Sequence, residues 1–90
     1  MDIYFTDIAD KELDTWLKSN RSAVKKIYEL IDDIEKYGML GGRGKPEQLK
    51  YHKDPPRYSR QINKGDRLVY SPYNEKDLLV ISCKGHYDDT

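Results

Sequence analysis

The apolar positions of the chain fall into two helical stripes, followed by a second half with the alternation and punctuation of strands. Asp2–Phe5 is a short β-branched and aromatic run and predicts a strand. Thr6 then stands where an N-cap belongs, and Asp7 places an acid in the first helical turn, where the dipole favours one. Ala9, Leu13, Trp16 and Leu17 recur at i, i+4, i+7 and i+8, one face of a helix ending near Asn20. Ser22 is the next N-cap candidate. Val24, Ile27, Tyr28, Ile31 and Ile34 form the second stripe, with Lys25, Lys26, Asp32, Asp33 and Lys36 away from it. Gly38 follows as a C′ glycine. The two stripes, joined by a short polar turn, predict a helical hairpin.

Beyond Gly38 the pattern changes. Met39–Pro46 is glycine-rich and predicts a loop, Glu47–Lys50 a short extended piece, and His52–Arg57, with Pro55-Pro56 at its centre, a loop again. Tyr58–Ile62, Arg67–Ser71 and Leu78–Lys84 predict strands. Asn63-Lys64-Gly65-Asp66 joins the first two tightly, with Gly65 free to take positive φ. Leu78-Leu79-Val80-Ile81 is continuously apolar and suggests a central strand covered on both faces. The order predicts one α+β domain over residues 1–90, with two N-terminal helices packed on a small antiparallel sheet. A two-residue Lys64-Gly65 turn would pair Ile62 with Arg67, Arg60 with Val69 and Tyr58 with Ser71. Arg60 and Arg67 would then share an exposed face, while Gln61, Leu68 and Tyr70 face the core. Two guanidiniums on one face suit an anion such as phosphate, or each pairs with an acid elsewhere, such as Glu75 or Asp77.

Composition narrows the function class. Sixteen basic and sixteen acidic residues cancel, so the chain does not coat nucleic acid by bulk charge. The cancellation hides an asymmetry: residues 1–40 hold nine acids and six bases, and Gly41–Tyr70 holds eight bases and three acids. Such a local basic surface either attracts phosphate or is an ordinary solvated face. No stretch approaches the roughly 20 apolar residues of a membrane span, and no basic segment leads into an apolar run near Met1. A lone cysteine, Cys83, forms no internal disulfide, and a reducing cytoplasm is the expected compartment.

Most candidate chemistry fails on inspection. Gly41-Gly42-Arg43-Gly44-Lys45-Pro46 lacks the Walker spacing and has Pro46 where Ser or Thr is required. It reads as a bent connector presenting Arg43 and Lys45. His52 and His86 lie 34 positions apart with no local ligand pattern, so no metal is expected. Cys83 lies in an apolar strand and is expected to be buried and inert. Singly, Glu47 is a loop carboxylate and His86 a surface histidine. Together, Glu47, Lys50, Arg60, Arg67, His86 and Tyr87 form a set with meaning for RNA cleavage. Attack by a 2′-hydroxyl needs a base for its proton, cations for the charge on the phosphoryl group, and an acid for the leaving 5′-oxygen. Tyrosine stacks on a base or hydrogen-bonds a phosphate.

The blocks Gly44-Lys45-Pro46-Glu47-Gln48-Leu49-Lys50, Tyr58-Ser59-Arg60-Gln61-Ile62, Arg67-Leu68-Val69-Tyr70 and the late His86-Tyr87 closely resemble the YoeB/Txe family of bacterial toxins, within the RelE-like superfamily. The segment Val24–Ile34 resembles that family's second helix. The resemblance implies a type II toxin–antitoxin toxin that acts as a ribosome-dependent endoribonuclease. Such an enzyme cuts mRNA in the A site, leaves a cyclic phosphate and a 5′-hydroxyl, and uses no metal or cofactor. It implies a YefM/Axe-like cognate antitoxin, operator DNA bound by the toxin–antitoxin complex, and a possible homodimer. By position, Glu47 resembles the general base, Arg67 the transition-state cation and His86 the general acid. Lys50, Arg60, Lys45 and Tyr87 take substrate-binding places. Lys45 and Lys50 flank the Glu47 carboxylate, and the rate would lean on positioning and charge stabilisation.

The chain departs from the resemblance in three ways. Gln61 stands where relatives commonly carry a second arginine. Asp88, Asp89 and Thr90 extend past the tyrosine at which relatives usually end. The overall charge is neutral where basic surfaces are common. Two other readings stay open: a catalytically weak relative acting with its antitoxin as a co-repressor, and a same-fold toxin with a non-RNA target such as gyrase. The aromatics Tyr51, Tyr58 and Tyr73 would serve an interface or cover the sheet.

Overall fold

Thr6 begins the first helix as its sequence position demands. Its hydroxyl accepts from the Ala9 N–H at 3.1 Å and donates to the Ile81 carbonyl at 2.7 Å, so the cap also fastens the helix to the last strand. The computed structural model describes residues 1–85. Strand β1 (Ile3–Phe5) leads into α1 (Asp7–Ser19), and α2 (Arg21–Tyr37) follows after a single residue. That residue, Asn20, does both capping jobs. Its N–H donates to the Trp16 carbonyl at 2.7 Å, and its side-chain oxygen accepts from the Ala23 N–H at 3.3 Å. Ser22, the expected cap, lies instead inside the first turn of α2.

The strands are β2 (Glu47–Lys53), β3 (Pro56–Gln61), β4 (Arg67–Pro72) and β5 (Leu78–Ser82), in spatial order β1-β5-β4-β3-β2. The loop expected at His52–Arg57 shrinks to Asp54-Pro55, because β2 and β3 extend towards each other. β2 to β5 form an antiparallel meander, whereas β1 pairs parallel with β5 through Ile3↔Leu78 and Phe5↔Val80. The α+β architecture is as expected, but the sheet is mixed rather than wholly antiparallel. The helical hairpin carries the chain across the sheet, so β1 joins the last strand in the parallel sense that a long crossover permits.

Ala9, Trp16, Ile27, Leu30, Ile31 and Ile34 of the helices pack on Leu68, Tyr70, Leu78, Val80 and Cys83 of the sheet. The buried side of α2 is shifted from the expected stripe. Leu30, Ala23 and Asp33 are buried, while Tyr28 is exposed, as is Leu17 of α1. In β5, Leu78 and Val80 are buried but Leu79 and Ile81 are only half-buried, so the apolar run does not mark a strand covered on both faces. Tyr58 is half-buried and stacks on Tyr70 with ring centroids 5.7 Å apart, so it belongs to the core rather than to a free surface. Tyr51 is exposed, and the exposed Tyr73 rests on Tyr4 at 4.5 Å. Among the described residues, no helix is long and apolar enough to cross a membrane.

The β3–β4 hairpin differs from the expected pairing by one residue. The observed pairs are Tyr58↔Tyr70, Ser59↔Val69, Arg60↔Leu68 and Gln61↔Arg67. The loop is closed by an Asx-type turn: the Asn63 side-chain oxygen accepts from the N–H groups of both Gly65 and Asp66 at 2.9 Å. Ile62 donates to the Asp66 carbonyl at 3.0 Å, which leaves Asn63, Lys64 and Gly65 in the turn rather than two residues. Gly65 is not among the residues with positive φ. Since side chains alternate along a strand, a slip of one residue exchanges the two faces.

Candidate active site

The register separates the two arginines. Arg60 lies opposite Leu68 on the helix side and is wholly buried, whereas Arg67 lies opposite Gln61 on the other face. The expectation that both guanidiniums face one anion is therefore corrected, and Arg60 contacts no substrate from where it sits. Its Nε donates to the Tyr70 hydroxyl at 2.9 Å, Nη1 to the Arg43 carbonyl at 2.8 Å, and Nη2 to the Gly38 and Met39 carbonyls at 2.9 and 3.3 Å. The Tyr70 hydroxyl in turn donates to the Met39 carbonyl at 2.6 Å. A buried cation is costly unless its donors find acceptors, and here three carbonyls of one loop and the Tyr70 hydroxyl accept from it. Burial pushes the Tyr70 phenol up, against the opposing pull of Arg60.

The same loop is clamped a second time. Arg43 forks onto Asp33, with Nε at 2.9 Å and Nη2 at 3.1 Å, while its Nη1 reaches Glu29 at 3.0 Å. The Arg43 N–H also donates to Asp33 at 2.8 Å. Arg43 is thus occupied in holding the connector rather than being presented by it. Gly42 has φ +87°, and a Cβ there would stand 2.8 Å from the Asp33 side chain, so glycine lets the loop approach α2. Gly44 accepts from the Gln61 N–H at 2.6 Å, which fixes the loop end to β3 just before Glu47. Sequence reading missed the Asp33 clamp. Its signal was an acid four residues before the end of a helix that runs into a Gly-Gly-Arg-Gly turn.

Hydrogen bonds from Arg43, then its charge, hold the Asp33 carboxyl down from the usual 3.8 to about 2. A depressed folded-state pKa gives stability that is complete above the unfolded value and is lost as pH falls through the folded value. The expected result is a urea midpoint that declines between about pH 4 and pH 2 in the parent. Asp33→Asn should start lower and decline less over that window. Parallel pH profiles for the two proteins would exclude this contribution.

On the face away from the helices, Glu47 of β2 lies opposite Ser59 of β3, and Arg67 lies two residue pairs along β4, diagonal to Ser59. Arg67 Nη1 stands 3.6 Å from Glu47 Oε1. Ser59 lies between them: its hydroxyl donates to Glu47 at 3.5 Å and accepts from Arg67 at 3.4 Å. These contacts are long, as catalytic contacts often are before substrate binds. The Glu47 side chain is 59% exposed and that of Arg67 24%, so ligand can reach both. Ser59 was not singled out from the sequence. The alternation that buries Arg60 is what turns its neighbour towards Glu47.

The remaining expected residues are placed as follows. Lys45 and Lys50 are exposed and flank Glu47 in sequence. Gln61, expected in the core, faces the site directly opposite Arg67. A second arginine there would set two like charges side by side, a repulsion that the neutral amide avoids. His86 and Tyr87 lie outside the described residues. The chain reaches them from Gly85, whose carbonyl accepts from the Arg67 N–H at 3.0 Å and whose N–H donates to Asp66 at 2.7 Å. Cys83 is buried, and its thiol is pushed up to about 12 by burial and then by Glu12, in keeping with an inert core residue. No cluster of His, Cys, Asp or Glu able to hold a metal ion occurs among the described residues.

Residues 5–87 match the model of the YoeB-like toxin of bacterial type II toxin–antitoxin systems. The chain belongs to the YoeB toxin family. It is 40% identical over 72 residues to toxin YoeB of Escherichia coli K12, covering 80% of this chain and 82% of the relative. The YoeB dimer from Staphylococcus aureus superposes with a TM-score of 0.87 at 38% identity, over 97% of this chain and 98% of that one. The YoeB–YefM complex from the same organism gives 0.85 at 39% identity, with the same coverage. The family accounts for the mixed sheet under a helical hairpin, and the chain is a toxin of a type II toxin–antitoxin system.

Proposed function

We propose that this YoeB-family toxin is a ribosome-dependent endoribonuclease that cuts mRNA in the A site and so stops translation. The observation that carries the reading is the Glu47–Ser59–Arg67 cluster: an exposed carboxylate and a partly exposed guanidinium 3.6 Å apart over a buried Ser59, close enough to touch one phosphodiester. Glu47 takes the proton of the 2′-hydroxyl, and the freed oxygen attacks the adjacent phosphorus. Arg67 neutralises the charge on the non-bridging oxygens as the bond to the 5′-oxygen breaks. His86 gives the departing 5′-oxygen its proton, leaving a 2′,3′-cyclic phosphate and a 5′-hydroxyl. Lys45, Lys50 and Tyr87 bind the RNA around the scissile linkage. Without substrate, Glu47 and Arg67 face each other; bound phosphate takes over Arg67 and leaves the carboxylate to act as the base.

The chain works with a YefM-like antitoxin, and the pair binds its own operator DNA. The solved YoeB–YefM complex of a 39% identical relative supports that partner. The YoeB dimer of a 38% identical relative supports self-association. The deciding experiment adds the purified chain to translating ribosomes and maps mRNA 5′ ends. New ends confined to the A-site codon, each carrying a 5′-hydroxyl, are expected. Growth arrest with intact mRNA would overturn the reading in favour of a non-RNA target.

A further inference from the structure

Arg57 occupies a place that the cluster around Glu47 does not explain. Alternation along β3 puts it on the same face as Ser59 and Gln61, two residues or about 7 Å beyond Ser59. It also lines an open cavity of about 760 Å³ at the β2–β3 turn, together with Lys50, His52, Lys53 and the exposed Tyr51. Among the described lining residues, Asp54 is the lone carboxylate, beside the cations Lys53 and Arg57. Neither Arg57 nor Lys53 makes an ion pair or side-chain hydrogen bond with a described residue. A half-exposed guanidinium with no ion pair to a described residue is poised for an anion.

We infer that this cavity is a second phosphate subsite, in which Arg57 and Lys53 hold the RNA backbone about one nucleotide away from the linkage cut at Glu47 and Arg67. The inference rests on the nuclease reading and extends it from one phosphate to a track along β3. The volume accommodates a nucleotide, and Tyr51 offers an aromatic ring on which its base can stack. Cations brought together at one cavity, rather than bulk charge, let a chain with no net charge hold a polyanion there.

Salt dependence tests it, because each phosphate contact on a single strand steepens log Kd against log salt by ~0.7. The full-length Glu47→Gln chain, which binds without cutting, is titrated with a fluorescein-labelled ten-nucleotide RNA between roughly 50 and 200 mM KCl. Arg57→Gln and Lys53→Gln, each in that background, should bind more weakly and lower the slope by ~0.7 each. Lys18→Gln, at an ion pair on α1, should leave the slope unchanged. A retained far-UV spectrum and melting point exclude unfolding as the cause. If Arg67→Gln lowers the slope and neither Arg57→Gln nor Lys53→Gln does, the subsite is overturned while the nuclease reading stands, and the cavity is left to an acidic peptide. If none of the three lowers it, the site reading itself has failed.

Discussion

Arg67→Ala should lower single-turnover cleavage of ribosome-bound mRNA on the order of 10²–10³-fold, the usual cost of removing one donor aimed at developing negative charge. The guanidinium is held by β4, Ser59 and Glu47, so the side chain is oriented before substrate arrives. Alanine removes the charge without touching the core, because Arg67 lies on the face away from the helices. The fold should therefore persist, and the melting point should move little. Arg67→Lys should recover only part of the rate, since an ammonium keeps the charge but loses the planar fork. His86→Ala should also slow cleavage, and both alanine variants should relieve growth arrest in an expressing cell. Arrest by both variants as strong as that of the parent would remove Arg67 and His86 from the chemistry.

Arg60→Met should have the largest effect on stability, about 3–5 kcal/mol, although Arg60 meets no solvent. Methionine fills much of the volume but leaves the Gly38, Met39 and Arg43 carbonyls without the guanidinium that they now share. Each part-buried acceptor stranded in this way costs up to roughly 1–3 kcal/mol, relieved where Tyr70 still donates to Met39, Gly41 to Gly38, or water enters. For a domain of this size the melting point should fall by more than ~10 °C. Tyr70→Phe removes only one partner and should cost about 1 kcal/mol. Because the released loop ends at Glu47, Arg60→Met should also depress cleavage below the melting point. Thermal unfolding and cleavage at low temperature read these two effects separately. A parent-like melting point for Arg60→Met would show that the loop is held by the Arg43–Asp33 clamp alone.

Local signals in the chain carried the helical hairpin. The Thr6 cap and the 3.6-residue spacing act within a few residues, so they can be read without knowing what packs against them. The strands were legible for the same reason, apart from the β2–β3 turn, where Pro55-Pro56 suggested a longer loop than Asp54-Pro55. Glu47 and Arg67 were recognisable by residue type and by their motif blocks. The error lay in the β3–β4 register, and its cause is small. Asn63 folds its own side chain into the turn and adds one residue to it, an Asx interaction that competes with the two-residue glycine turn assumed from the pattern.

That one residue reassigned both arginines. The amino-acid order alone settles which side chains are available: one carboxylate among lysines, two strand arginines and a late histidine, on elements whose local periodicity makes them helices and strands. It could not settle which side of the sheet each strand residue faces, because parity passes from strand to strand only through the turns. The tertiary structure decided that Arg67 meets Glu47 on the face away from the helices while Arg60 is enclosed beneath them as the anchor of the Glu47 loop. The physical reason is that a guanidinium suits either place, an anion outside or a cage of carbonyls inside, and only the pairing register selects between them.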